Sequence, residues 1–164
     1  MISLWQTYEG RVFHYLLRLT GQRETAEDLT QETFIRALQA VRRDPNQIGE
    51  ASHKAWLFQV ATNLARDHLR RRRLIRWLPF QPERHGEIAG DATDGLAEQE
   101  LVGRALRQLP PETAAILLLK DAEGFTAREI AEMLGEPFEA VRKRLARARE
   151  RFRLEYLRQK GGLP

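Results

Sequence analysis

Between Gly135 and Arg153 the chain reads GEPFEAVRKRLARARERFR, with Arg142, Lys143, Arg144 and Arg147 interleaved among Phe138, Val141, Leu145, Ala148 and Phe152. Guanidinium and ammonium groups are donors without acceptors, so the chemistry they offer is the recognition of phosphates and of guanine edges. Advancing by about 100° per residue gathers the five apolar residues into one arc. Glu139, Arg142, Lys143, Ala146, Arg147 and Glu150 fall on the opposite side. A charge run alone describes a solvated surface helix, and the preceding residues change that reading. Thr126 and Glu129 in FTARE have the spacing of a capping box, starting a short helix with Ile130, Ala131 and Leu134 inward. Gly135 can take the left-handed conformation that stops a helix, and Pro137 suits the start of the next. The combination predicts a helix-turn-helix whose second helix offers its Arg142 to Arg147 side to a major groove. Glu136 occupies a turn position that is often apolar, a gap that Phe138 can fill.

A second basic group closes AWLFQVATNLARDHLRRRR. Helical spacing there predicts a buried stripe of Leu57, Val60, Ala61, Leu64 and His68, and an outer face of Gln59, Thr62, Asn63, Arg66, Arg70 and Arg73. Arg71 and Arg72 turn towards the apolar side, so the basic end projects beyond the packed core. Amides, a hydroxyl and arginines suit a nucleic-acid strand, with the arginines on phosphates. Trp56, at the border, is either core or a ring that stacks on or wedges against a base. On a predicted helix from about Glu24 to Arg43, Ala26, Thr30, Phe34, Ala37 and Val41 face inward. Asp28, Gln31, Glu32, Ile35 and Gln39 share the other side. An isoleucine among acids and amides suggests a protein-docking surface, although single exposed apolar residues are ordinary.

The elements that carry these faces are helical throughout. Leu4, Tyr8, Val12, Leu16 and Leu19 form a first stripe that stops at Gly21, Asp44-Pro45-Asn46 ends the second helix, and Ser52 is an N-cap for the third. From Leu74 to about Gly95 prolines, glycines and acids occur without periodicity, and a stretch of that length reads as an interdomain linker. The expected architecture is all-α. Two small helical domains, residues 1–76 and 96–164, are joined by a flexible linker at 77–95.

The 164 residues carry a net charge of +4 with basic residues sorted into two clusters, which favours a polyanionic partner. The absence of cysteine excludes disulfides, thiolate metal sites and cysteine nucleophiles, and fits a reducing intracellular location. No run of about 18 apolar residues offers a membrane span, so no membrane insertion is expected. His14, His53, His68 and His85 are scattered, and no HExxH, paired-carboxylate or phosphate-loop pattern occurs. No catalytic residue, metal or cofactor is expected, and the chain is not read as an enzyme.

AEDLTQETFIRAL, AWLFQVATNLARDHLRRRR, ALRQLPPETAAILLLKDAEGFTAREIAEML and VRKRLARARERFR, in that order along the chain, resemble the extracytoplasmic-function (ECF) group of sigma-70 family RNA polymerase sigma factors. The resemblance implies a cytoplasmic subunit that binds core RNA polymerase and directs it to promoter DNA. It places Asp28, Gln31, Glu32, Ile35 and Arg36 in the region-2 contact with the clamp helices of the largest polymerase subunit, with the flap as a second polymerase contact. The 46–53 loop and Trp56, Asn63, Arg66 and Arg70 match the part that opens the minus-ten element and captures a flipped base. Arg142, Lys143, Arg144 and Arg147 match the region-4 helix that reads the minus-thirty-five element. The linker matches the segment that threads towards the RNA exit path, and an anti-sigma factor is implied as an inhibitory partner. Phe138 and Glu139 stand where smaller residues are frequent in this family, so a base preference does not carry over. The rival reading is a stand-alone helix-turn-helix regulator, which accounts for the second domain and leaves the first unexplained.

Overall fold

The computed structural model describes residues 2–46, 53–76 and 94–162, and the Ser52 cap, the interior of the 46–53 loop and residues 77–93 of the expected linker lie outside them. Seven α-helices and no strand occur among the described residues. They fall into two compact units, Met1–His85 and Gly86–Pro164. None of the described helices is long and apolar enough to cross a membrane.

In the first unit, α1 (Ile2–Thr20), α2 (Arg23–Arg43) and α3 (His53–Arg76) pack mutually. Gly21, at φ 69°, makes the α1–α2 corner, and its N–H donates to the Leu17 carbonyl at 2.8 Å. The corner works because glycine has no Cβ to oppose a left-handed backbone. Val12, Leu16 and Leu19 are buried as their spacing predicts, together with Tyr15, while Tyr8 is half-buried. On α2 the expected Ala26, Thr30, Phe34 and Ala37 are buried; Thr33 joins them and Val41 stays half-buried. The two threonines can be interior because their hydroxyls donate back to the Ala26 and Leu29 carbonyls at 2.6 and 2.7 Å.

The α3 stripe differs from the expected one. Leu57, Ala61 and Leu64 are buried with Phe58 and Ala65, whereas Val60 and His68 are half-buried. Thr62, expected on the outer face, is fully buried. Its single hydroxyl hydrogen goes to the Phe58 carbonyl, so the 2.8 Å contact with the Tyr15 phenol has Tyr15 as donor. The Tyr15 ring meets Phe58 edge-on, with centroids 5.3 Å apart. A polar residue type concealed this position, because spacing alone cannot reveal a hydroxyl satisfied by another helix.

In the second unit, α4 (Asp94–Arg107), α5 (Pro111–Leu117), α6 (Ala127–Leu134) and α7 (Phe138–Gln159) enclose Leu106, Ile116, Leu119, Ile130, Val141 and Leu145. Residues 94–95 of the expected linker are thus helical. Pro111 starts α5, where its missing N–H costs nothing. Beyond α5 the chain makes one π-helical turn, Leu118–Ala122. Asp121 in that turn holds Arg149 of α7 through two hydrogen bonds, at 2.6 and 3.2 Å. That hydrogen bond and the adjacent negative charge raise the already high pKa of the Arg149 guanidinium. Tyr156 hydrogen-bonds Glu98, tying the end of α7 to the start of α4; the bond holds the phenol above its ordinary value, with desolvation adding to the shift. Burial, reinforced by nearby Arg104, lowers the Arg107 pKa.

Thr62→Val is expected to destabilise the first unit by about 1–3 kcal/mol in urea unfolding, because it removes the buried acceptor of the Tyr15 hydroxyl. Adding Tyr15→Phe to that variant should recover part of the loss.

Candidate nucleic-acid interface

The α6–α7 corner is built as its sequence signals require. The Thr126 hydroxyl accepts from the Glu129 N–H at 3.1 Å, and the Glu129 carboxylate accepts from the Thr126 N–H at 2.7 Å, completing the capping box. Gly135 sits at φ 64°, ψ 34°, and the Glu136 N–H reaches back to the Ala131 carbonyl at 3.0 Å, satisfying an orphan carbonyl of the helix end. Pro137 immediately precedes α7. Ile130 and Ala131 face inward as expected; Met133 is buried and Leu134 only half-buried.

On α7, Val141, Leu145 and Ala148 are buried, Phe138 and Phe152 are half-buried, and Glu139, Arg142, Lys143, Ala146, Arg147 and Glu150 are all exposed. Ion pairing separates the basic residues into groups. Arg149 is bound to Asp121, and Arg144, on the edge of the buried stripe, pairs with Glu136 of the turn at 3.0 Å. Glu136 therefore fills its turn position by pairing with α7. Arg142 lies 3.2 Å from Glu139 in an exposed pair that contributes little stability. No carboxylate among the described residues pairs with Lys143 or Arg147. The exposed arc thus holds donors that a phosphate or base edge can engage without breaking the fold.

The first unit carries two further faces. On α3, Asn63 and Arg70 are exposed, Gln59, Arg66 and Trp56 half-buried, and Arg70 makes a 3.2 Å pair with Asp67. The α3 face therefore lacks the Thr62 hydroxyl that was expected on it. The Arg73 side chain lies outside the described residues. On α2, Asp28, Gln31, Ile35, Arg36 and Gln39 are exposed, Glu32 is half-buried, and Arg36 pairs with Glu32 at 2.7 Å. Ile35 is 48% exposed and Leu38, one turn on, 38%, so the face has two apolar residues where the sequence singled out one. Trp5 of α1 packs against Phe34 of α2 with the rings tilted by 46° and centroids 4.4 Å apart, and is itself 36% exposed.

Two family matches cover these units in order: sigma-70 region 2 over residues 4–75 and sigma-70 region 4 over residues 99–152. The chain is 32% identical to the ECF RNA polymerase sigma factor SigL of Mycobacterium tuberculosis, over 94% of this chain and 87% of that protein. It belongs to the ECF sigma factors. SigE of Mycolicibacterium smegmatis, another ECF sigma factor, is 35% identical over 94% of this chain, which spans 60% of that relative's length. The fold is that of the Bartonella quintana sigma factor RpoE, solved in complex with the anti-sigma factor NepR. The likeness has a TM-score of 0.69 at 21% identity, over 92% of each chain. Within this ECF sigma factor, region 2 corresponds to α1–α3, and the region 4 match holds the α6–α7 corner.

A Cβ at position 135 meets no atom within 4 Å, so Gly135→Ala tests backbone conformation free of steric clash. It is expected to cost about 1–2 kcal/mol of region 4 stability in thermal unfolding, and Gly135→Asn less, because asparagine tolerates the left-handed region.

Proposed function

We propose that this ECF sigma factor binds core RNA polymerase, brings it to promoters and assists their opening. The observation that carries the reading is the presence in one chain of region 2 over residues 4–75 and region 4 over 99–152, each with an exposed face suited to its task. In this reading the chain is an initiation factor acting in the cytoplasm, and the polymerase performs the chemistry. The two units act as separate modules, the second with its first helix, α4, starting two residues before the expected linker boundary.

The α2 face, with Asp28, Gln31, Glu32, Ile35 and Arg36, docks on the polymerase clamp helices. Ile35 and Leu38 supply apolar area and the charged residues set orientation. Region 4 makes a further contact with the flap. An anti-sigma factor would act by covering these surfaces; the Bartonella sigma factor of the same fold was solved in complex with an anti-sigma factor. On α3, Asn63 and Trp56 face the opened minus-ten strand while Arg66 and Arg70 hold its phosphates. Base flipping costs a few kcal/mol, which such contacts offset. On α7, Arg142 and Lys143 address base edges of the minus-thirty-five element and Arg147 the backbone. Arg144 reaches DNA by exchanging the Glu136 carboxylate for a phosphate.

Co-elution with core polymerase tests the assignment. The chain should migrate with the core enzyme, and a variant carrying Ile35→Asp with Leu38→Asp should not; promoter binding with no polymerase contact would instead identify a stand-alone regulator. Asn63→Ala should slow open-complex formation several-fold while leaving initial duplex binding near normal, as read by permanganate reactivity against filter binding. Equal defects in both steps would contradict strand capture.

A further inference from the structure

Phe138 opens α7 and is half-buried, and its ring is flanked by two guanidiniums. The Arg128 Cζ lies 4.6 Å from the ring centroid and the Arg142 Cζ 5.9 Å from it. Arg128 is the second residue of α6 and Arg142 sits one turn into α7, so a single ring links the first turns of both helices of the corner. Both arginines are exposed. A cation near an aromatic face is attracted by the ring quadrupole, and a guanidinium held this way keeps N–H donors for other acceptors.

We propose that Phe138 is a positioning residue for upstream-element recognition, holding Arg142 for contact with a base and Arg128 for contact with the adjacent DNA phosphate. The proposal rests on α7 being the recognition helix. In a helix-turn-helix the first helix crosses the DNA backbone while the start of the second meets base edges, and Arg128 and Arg142 occupy those two places. An arginine on a polar surface samples many rotamers, and ordering it on DNA is part of the cost of binding. The ring reduces that cost for Arg142 and fixes the direction from which it approaches. Glu139, 3.2 Å from Arg142, pairs with the same side chain, and its carboxylate repels a misplaced phosphate. Phe138 and Glu139 thus act on one arginine.

The test uses the full chain reconstituted with core RNA polymerase, and a pool of duplexes randomised across the upstream element. Phe138→Leu keeps apolar volume and removes the aromatic face. It should lower discrimination at the base pair read by Arg142 about five-fold or more, within the range that loss of one bidentate contact produces, with helix content and polymerase affinity unchanged. Phe138→Trp should retain the parent's discrimination. Arg128→Ala should weaken binding to all sequences alike and reduce the salt slope by about one. Parental discrimination by Phe138→Leu, or an equal loss in Phe138→Trp, would overturn the positioning role. A base-specific defect in Arg128→Ala would overturn the phosphate assignment. If Arg142→Ala and Lys143→Ala both leave the selected sequences unchanged, α7 does not read bases, and the promoter-reading role proposed for α7 falls together with this inference.

Discussion

The exposed basic side of region 4 depends on the backbone changing direction between Leu134 and Phe138 with almost no chain to do it. Gly135 in the left-handed region makes this possible, and the Glu136 N–H bond to the Ala131 carbonyl fastens it. The capping box at Thr126 fixes the other end of α6, so that eight-residue helix has little freedom at either terminus. With both ends set, Ile130 and Val141 are both buried in the core as α6 packs on α7, and the orientation of α7 follows. The exposed arc from Glu139 to Glu150 then points outward as a consequence of packing, since burying one stripe of an amphipathic helix determines which residues remain in water.

Ionic contacts refine that division. Arg149 and Arg144 fasten α7 to the π-helical turn and to the α6–α7 turn through Asp121 and Glu136. Lys143 and Arg147 are engaged by no carboxylate among the described residues, and Arg142 pairs with exposed Glu139 and lies beside the Phe138 ring. A strongly basic helix thereby serves two ends at once, with some arginines structural and others available. Region 2 shows a comparable separation, in which buried hydroxyls of Thr30, Thr33 and Thr62 are satisfied within or between helices while Asn63 and Arg70 stay in solvent.

Much of this was legible in the sequence because it follows from periodicity and from a few residues with narrow conformational roles. The capping box, Gly135, the α7 stripe and the first two helices of region 2 are all of that kind. What was hidden depends on contacts between residues distant in sequence. Thr62 reads as polar surface until Tyr15, 47 residues away, is seen to donate to it. The π-helical turn has no spacing signature, yet it aligns Asp121 with Arg149. Glu136 is an unusual turn residue in sequence and gains its role from the Arg144 partner, and Arg128 has no sequence signal that pairs it with the Phe138 ring ten residues on. The Leu38 neighbour of Ile35 was missed because its apolar character fits a core position equally well.

The central claim is that the region 2 and region 4 faces work together through polymerase. The most direct measurement is run-off transcription by core RNA polymerase on genomic fragments, with and without the chain. Initiation at a defined set of start sites, requiring both core enzyme and chain, is the predicted result. Start sites that do not change on adding the chain, even while it binds the same fragments on its own, would contradict the account.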